Sequence, residues 1–199
     1  MLLIVGAFRR IVFFILSGLL LASFAQAQQK TFTLDPAQTK VNFTVDSTLH
    51  TVHGDFRLKR GSIQFDNATG TAGGELVVDS ASGESGSDGR DKKMHKDILE
   101  SPKYSDIVFT PQHIKGTVAA EGKSNVEVEG TLTMHGKSKP VTMLLGVQLQ
   151  GGAGSADGSF SIKYLEWGMK NPSTFILRVN EKVEIHVHAV GKLVPGAGN

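Results

Sequence analysis

The 199-residue chain has no cysteine, one tryptophan and two tyrosines. Without cysteine there is no disulfide framework, no thiolate zinc site, no thiol nucleophile and no lipid attached through sulfur. A surplus of charge is missing too. The formal net charge of +2 comes from Arg9 and Arg10, and the rest of the chain balances its cations against 19 acidic residues. Nucleic-acid binding requires clustered cations that displace counterions, and no such cluster is present. Also absent are a Gly-x-Ser-x-Gly elbow and a phosphate loop ending in Gly-Lys-Ser/Thr. Serines are many, but none stands beside a marked base, and Glu127 and Glu129 share a polar strand face where they serve solubility. These absences argue against an enzyme.

What is present begins with the first 27 residues. Arg9 and Arg10 precede an apolar run from Ile11 to Ala22, and Ala25-Gln26-Ala27 supplies a small-x-small cleavage pattern. Charged region, apolar region and cleavage site stand in the order of a secretory signal. The run of about twelve apolar residues is short of the roughly 20 that a spanning helix needs. The expectation is therefore cleavage after Ala27 and export to the periplasm, leaving one domain over residues 28–199 with a core over about 31–193.

Beyond the leader, the dominant period is two. Lys40–Asp46, Val126–Met134, Val141–Leu149 and Lys182–Ala189 alternate apolar and polar residues, as half-buried strands do. Shorter candidates are Phe32–Leu34, His53–Leu58, Ser62–Phe65, Glu75–Asp79, Asp106–Thr110, Ser159–Lys163 and Thr174–Val179. Turn chemistry separates them at Lys59–Ser62, Asp66–Gly70, His135–Pro140 and Gln150–Gly154. Many short strands with short turns predict an all-β antiparallel barrel or sandwich. One stretch breaks the rhythm. The Gly- and Ser-rich run 82–89 leads into Arg90–Glu100, where Ser87 or Asp88 could cap a short helix and Pro102 would stop it. Met94 and Ile98, four apart, give that helix a narrow apolar face. It either covers one end of a barrel or lies solvated on the surface.

Several local patterns carry a family resemblance: Val52-His53-Gly54-Asp55-Phe56; Gly89-Arg90-Asp91 with Met94; Tyr104 to Phe109; Gly130 to Val141 through Met134-His135-Gly136-Lys137; and Ser159–Lys163 with Trp167-Gly168. In this order, and spanning about Thr31 to Leu193, they resemble the YceI-like family of exported bacterial proteins. Two departures are Lys163, where arginine is frequent in the family, and the short segment Met169–Ser173. The resemblance implies a lipocalin-like barrel of about eight strands that binds polyisoprenoid or other long-chain lipid, with no cofactor. Transient contact with a membrane and pairing of two barrels are both left open.

The strand alternation assigns an interior set: Val41, Phe43, Val45, Phe56, Leu58, Phe65, Ile107, Phe109, Val126, Val128, Leu132, Met134, Val141, Met143, Leu145, Phe160, Ile162, Phe175, Leu177, Val183, Ile185 and Val187. None is charged, so the interior suits a hydrocarbon such as a polyprenol or an isoprenoid quinone tail. The same residues would equally form a ligand-free, filled core in a structural or stress-related interaction protein. The histidines offer a third reading, a metal-dependent hydrolase, through His50-x-x-His53 and His186-x-His188. His186 and His188, however, alternate with Val183, Ile185 and Val187 and should face outward. No metal site is expected. Arg90 or Asp91 is expected to tie its loop to the barrel.

Overall fold

The computed structural model describes residues 29–195, so the leader expected over 1–27 lies outside the described residues. The period-two segments form nine antiparallel strands among the described residues. They are β1 (Lys30–Leu34), β2 (Lys40–Ser47), β3 (Thr51–Phe65), β4 (Ala72–Asp79), β5 (Asp106–Lys115), β6 (Gly122–Met134), β7 (Lys137–Gln150), β8 (Ala153–Lys163) and β9 (Val179–Pro195). From β2 onward each strand pairs with the next, and β9 returns to β2. β1 lies against Ser62–Phe65 of β3 and Gly191–Pro195 of β9, whereas β2 lies against Thr51–Arg57 and Val179–His188 of the same two strands. β1 and β2 thus share one position around the ring, and the β3–β4 pairing completes it. The fold is a closed, lipocalin-like antiparallel barrel of eight strand positions.

Alternation explains which side of each strand is buried. On β6, Val126, Val128, Gly130, Leu132 and Met134 are all buried, while Glu127, Glu129, Thr131 and Thr133 face outward. The inward residues gather in three clusters. One, around Phe65, Ile114, Val118 and Leu149, closes the end of the barrel away from the helix. The second, around Leu34, Val41, Leu58, Val78 and Ala189, fills the flank under β1 and β2. The third, around Leu132, Met134, Ile162 and Trp167, lies towards the helix, and the Trp167 indole N–H donates to the Leu132 carbonyl at 3.3 Å.

Four local expectations need correction. Lys59–Ser62 is no turn: β3 runs through it, and a bulge between Leu58 and Arg60 lets Leu58 and Gly61 both be buried. The β6–β7 connection is only His135-Gly136, whose φ values of 49° and 73° are those of a two-residue hairpin turn, so β7 already includes Lys137–Pro140. Of the expected strand Thr174–Val179, only Val179 is in a strand, as the first residue of β9. A closed barrel offers no free edge, and the Thr174 N–H instead donates locally to the Leu177 carbonyl at 2.7 Å. The helix, α1 (Asp88–Lys93), is shorter than expected and passes into a single wide turn over Met94–Ile98, where the Leu99 N–H reaches the Met94 carbonyl at 2.8 Å.

The packing separates two leucines that sequence periodicity treats alike. Leu58 is 4% exposed within its cluster, whereas half-buried Leu145 borders the central cavity. Leu58→Ala should cost about 2–5 kcal/mol in urea unfolding, and Leu145→Ala below about 2 kcal/mol, because its neighbours surround it on one side only. Equal shifts in the urea midpoint would contradict this division.

Candidate functional site

The barrel encloses a cavity of about 550 Å³, within the roughly 300–1,000 Å³ typical of small-molecule sites. Its wall comes from every strand position and is almost wholly apolar. The strands supply it because their inward positions are Val, Ile, Leu, Phe and Met, alternating with polar residues that satisfy the outer surface. All the expected interior residues border this cavity except Leu58, Val141 and Phe175. Leu58 points inward but is enclosed by Leu34, Val41, Val78 and Ala189. Val141 packs against the cluster of Leu132, Met134 and Ile162. Phe175, outside any strand, is 95% exposed.

Several wall residues were not foreseen. Phe32, Ile63, Leu76 and Val78 belong to strands already recognised as candidates, so the same alternation could have found them. Pro111 and Ile114 lie where β5 continues past its expected end, with a register shift between Pro111 and His113 that alternation cannot anticipate. Met94, Ile98 and Leu99 also reach the wall. The helical segment therefore covers one end of the barrel, and the four-residue spacing of Met94 and Ile98 was the signal for it.

The polar side chains on the wall are few: Ser47, His50, Ser85, Arg90, Lys93 and Tyr164. Among the described residues no carboxylate borders the cavity. These residues sit at the helix end, on the β2–β3 hairpin, the cap loop, α1 and the end of β8, which makes that end the mouth. Tyr164 is 6% exposed and its hydroxyl has no hydrogen-bond partner; burial, with a smaller contribution from the Glu181 charge, pushes its phenol pKa up.

The cap is sewn to the barrel by main-chain and side-chain bonds. Asp55 and Glu84 exchange backbone hydrogen bonds at 2.9 and 3.0 Å, and the Arg57 N–H donates to the Ser82 hydroxyl at 2.8 Å. His95 Nε2 bonds the Gly83 carbonyl at 2.8 Å. Arg90 and Asp91 close the loop on itself through Ser85. The Ser85 N–H donates to both Asp91 carboxylate oxygens at 3.1 Å, its hydroxyl bonds the same carboxylate, and Arg90 Nε and Nη2 each reach Ser85 at 2.6 Å. The other histidines do not converge. His186 is exposed, His188 bonds Asp157 at 2.6 Å, and His53 bonds the Thr44 hydroxyl on the outer face. Among the described residues no three His, Cys, Asp or Glu side chains form a group that could hold a metal.

The model of the YceI-like domain matches residues 32–191. The chain belongs to the YceI-like family. A UPF0312 protein of Vibrio cholerae is 27% identical over 161 residues, covering 78% of this chain and 82% of that one. A UPF0312 protein of Vibrio parahaemolyticus is 31% identical over 123 residues, covering 60% and 62%. Among solved structures, Burkholderia cenocepacia BcnA superposes with a TM-score of 0.65 at 23% identity, covering 80% of this chain and 99% of that one. A polyisoprenoid binding domain from Saccharophagus degradans, implicated in plant cell wall breakdown, gives 0.64 at 20% identity, covering 81% and 97%. At these identities the two structures speak for the barrel fold.

In this YceI-like barrel the Asp91 carboxylate is the pivot of the cap. Burial alone would raise its pKa, but the Ser85 hydrogen bonds and the Arg90 charge outweigh that and hold it below the ordinary aspartate value. A lowered folded-state pKa contributes stability that is present above the ordinary value, near pH 4, and is lost as pH falls through the folded value. Protection across 83–100, measured relative to the intrinsic amide exchange rate at each pH, should therefore stay high at neutral pH and fall only below about pH 4. Asp91→Asn should exchange faster throughout and lose most of that acid dependence while the strands keep their protection. Unchanged exchange in the variant would remove Asp91 from this role.

Proposed function

We propose that this protein is an exported, non-enzymatic lipid-binding protein that carries or stores an isoprenoid-chain lipid, a polyprenol or an isoprenoid quinone, in the barrel interior. The observation that carries the reading is a cavity of about 550 Å³ whose wall is almost wholly apolar and whose few polar side chains are confined to one end. Burying each methylene is favourable by about 0.8 kcal/mol, so a chain of several isoprene units needs no ionic anchor, although ordering that chain offsets part of the gain. The solved Saccharophagus degradans neighbour is described as a polyisoprenoid binding domain, which supports the same ligand class here. The secretory-signal pattern in the sequence, with its cleavage expected after Ala27, supports a periplasmic location. A filled-core structural protein fits less well, because a filled core leaves no such cavity.

The interior residues that border the cavity are the proposed lipid contacts. Native mass spectrometry of protein isolated from membrane-containing lysate, followed by lipid extraction, should find one long-chain isoprenoid per barrel. Met143→Trp fills the lumen from a buried inward position of β7 and should abolish uptake, at a stability cost of roughly 1–3 kcal/mol from overpacking. Thr142→Trp, next to it on the outer face, should take up lipid normally. Protein that stays empty when offered quinones or polyprenols, or equal loss of uptake in both variants, would defeat the reading.

His186 and His188 stand outside this site. His186→Ala with His188→Ala should leave uptake intact and shift stability by no more than about 0.5 kcal/mol, aside from the loss of the exposed His188–Asp157 pair. Loss of bound zinc or copper together with loss of uptake in that double variant would favour a metal-dependent activity instead.

A further inference from the structure

Among the described residues, the exposed large apolar side chains are Leu49, Leu144, Phe175, Ile176 and Val194. Three of them lie together at the mouth. Leu49 is in the β2–β3 hairpin, and Phe175 and Ile176 are in the run leading into β9. Hydrogen bonds join the two loops: the Thr48 N–H donates to the Arg178 carbonyl at 2.9 Å, and the Arg178 N–H donates to the Thr48 hydroxyl at 3.2 Å. Their immediate neighbours Ser47, His50, Leu177 and Val179 border the cavity. The apolar patch is therefore continuous with the opening.

Charge on the run that carries Phe175 and Ile176 has one sign. The stretch 168–178 carries Lys170 and Arg178 and no acidic residue, and Lys92 and Lys93 are exposed on α1 at the same rim. Acids also stand at this end: Asp91 lies beside Arg90 and holds Ser85, Glu181 pairs with Lys163 at 3.1 Å, and Asp46, which accepts the Thr51 hydroxyl at 2.6 Å, keeps its charge. So do exposed Glu84 and Asp88, and the cations therefore prevail next to Phe175 and Ile176 and not around the whole rim. We propose that this end is a membrane-docking surface, in which Leu49, Phe175 and Ile176 seat in the interfacial region of an anionic bilayer. Exposed apolar prongs flanked by Lys170 and Arg178 match that surface. A symmetric contact with a second copy would set like cations against each other. The proposal rests on the reading of the interior as a lipid site: docking the mouth on a bilayer lets a water-insoluble chain pass between membrane and lumen without crossing water.

Flotation of the protein with phosphatidylethanolamine–phosphatidylglycerol vesicles tests it. The unaltered protein should float with them, and less with phosphatidylcholine alone. Phe175→Ser with Ile176→Ser should weaken vesicle binding at least tenfold while leaving the melting temperature and uptake of lipid from detergent unchanged. Leu144→Ser, which removes a comparably exposed leucine from the outer wall of β7, should bind vesicles as before. The proposal is overturned if the unaltered protein stays with the unbound fraction, if the double variant floats equally well, or if Leu144→Ser loses as much. A dimer that the double variant abolishes, without flotation, would make the patch a contact between copies and overturn docking as well. Docking that depends on Phe175 and Ile176 in a barrel that never takes up lipid would support this surface and defeat the carrier reading.

Discussion

The pairing of β3 with β4, from Leu58 opposite Val78 to Phe65 opposite Ala72, closes the sheet into a ring. Closure removes every free edge and leaves each strand residue one of two places, inside or out. The alternation that makes these segments strands therefore also makes the lumen. Eight positions give an interior that side chains can just fill, or that can hold one small ligand, and side-chain size decides which. Gly158 shows how the decision falls. A Cβ there would meet Leu145 Cδ2 at 2.3 Å, so the leucine lies against the bare β8 backbone and the axis is left clear.

The fold was largely legible because its information is local and periodic. Long alternations such as Val126–Met134 specified both strand and inward face, and nearly all the inward residues read from sequence border the cavity. The failures have physical causes. Lys59-Arg60-Gly61-Ser62 has the composition of a turn, but Arg60, Gly61 and Ser62 continue the ladder opposite Val77, Leu76 and Glu75 of β4, and the extra residue is absorbed as a bulge. Phe175-Ile176-Leu177 has strand propensity without a strand to pair with, because β9 already lies between β2 and β8. Leu58 and Val141 face inward as expected. Periodicity reports direction only, and it cannot tell a side chain against the lumen from one enclosed by neighbours.

The two ends of the barrel divide the work. Away from the helix, Phe65, Ile114, Val118 and Leu149 meet across the lumen and are held by short connections. One of these is the Asn67 side chain, bonded to both the carbonyl and the N–H of Val118 at 2.9 and 3.1 Å. At the helix end the covering is a loop, α1 and two apolar-tipped connections, fixed by a handful of hydrogen bonds to Ser85, Gly83 and Thr48. Segments with few buried apolar contacts open locally at lower free energy than strands buried along their whole length. Access to the interior should therefore be governed at the mouth, while global stability is set by the ring and its closed end.

This division also bears on selectivity. The hydrophobic effect is non-directional and scales with area, so a wall of Val, Leu, Ile, Phe and Met ranks occupants by length and girth and scarcely by chemical identity. Discrimination requires groups that lose something when mismatched, and buried polar atoms do so because leaving one unpaired costs about 1–3 kcal/mol. In this barrel the buried group of that kind is Tyr164, beneath the mouth, while Ser47, His50, Ser85, Arg90 and Lys93 offer more exposed polar partners around it. An occupant entering tail first would place its apolar chain against the ring and its polar end among these side chains. The asymmetry of the barrel would then fix the orientation of such an occupant, because the opposite orientation would bury a polar group against Ile114 and Leu149 with nothing to receive its hydrogen bonds.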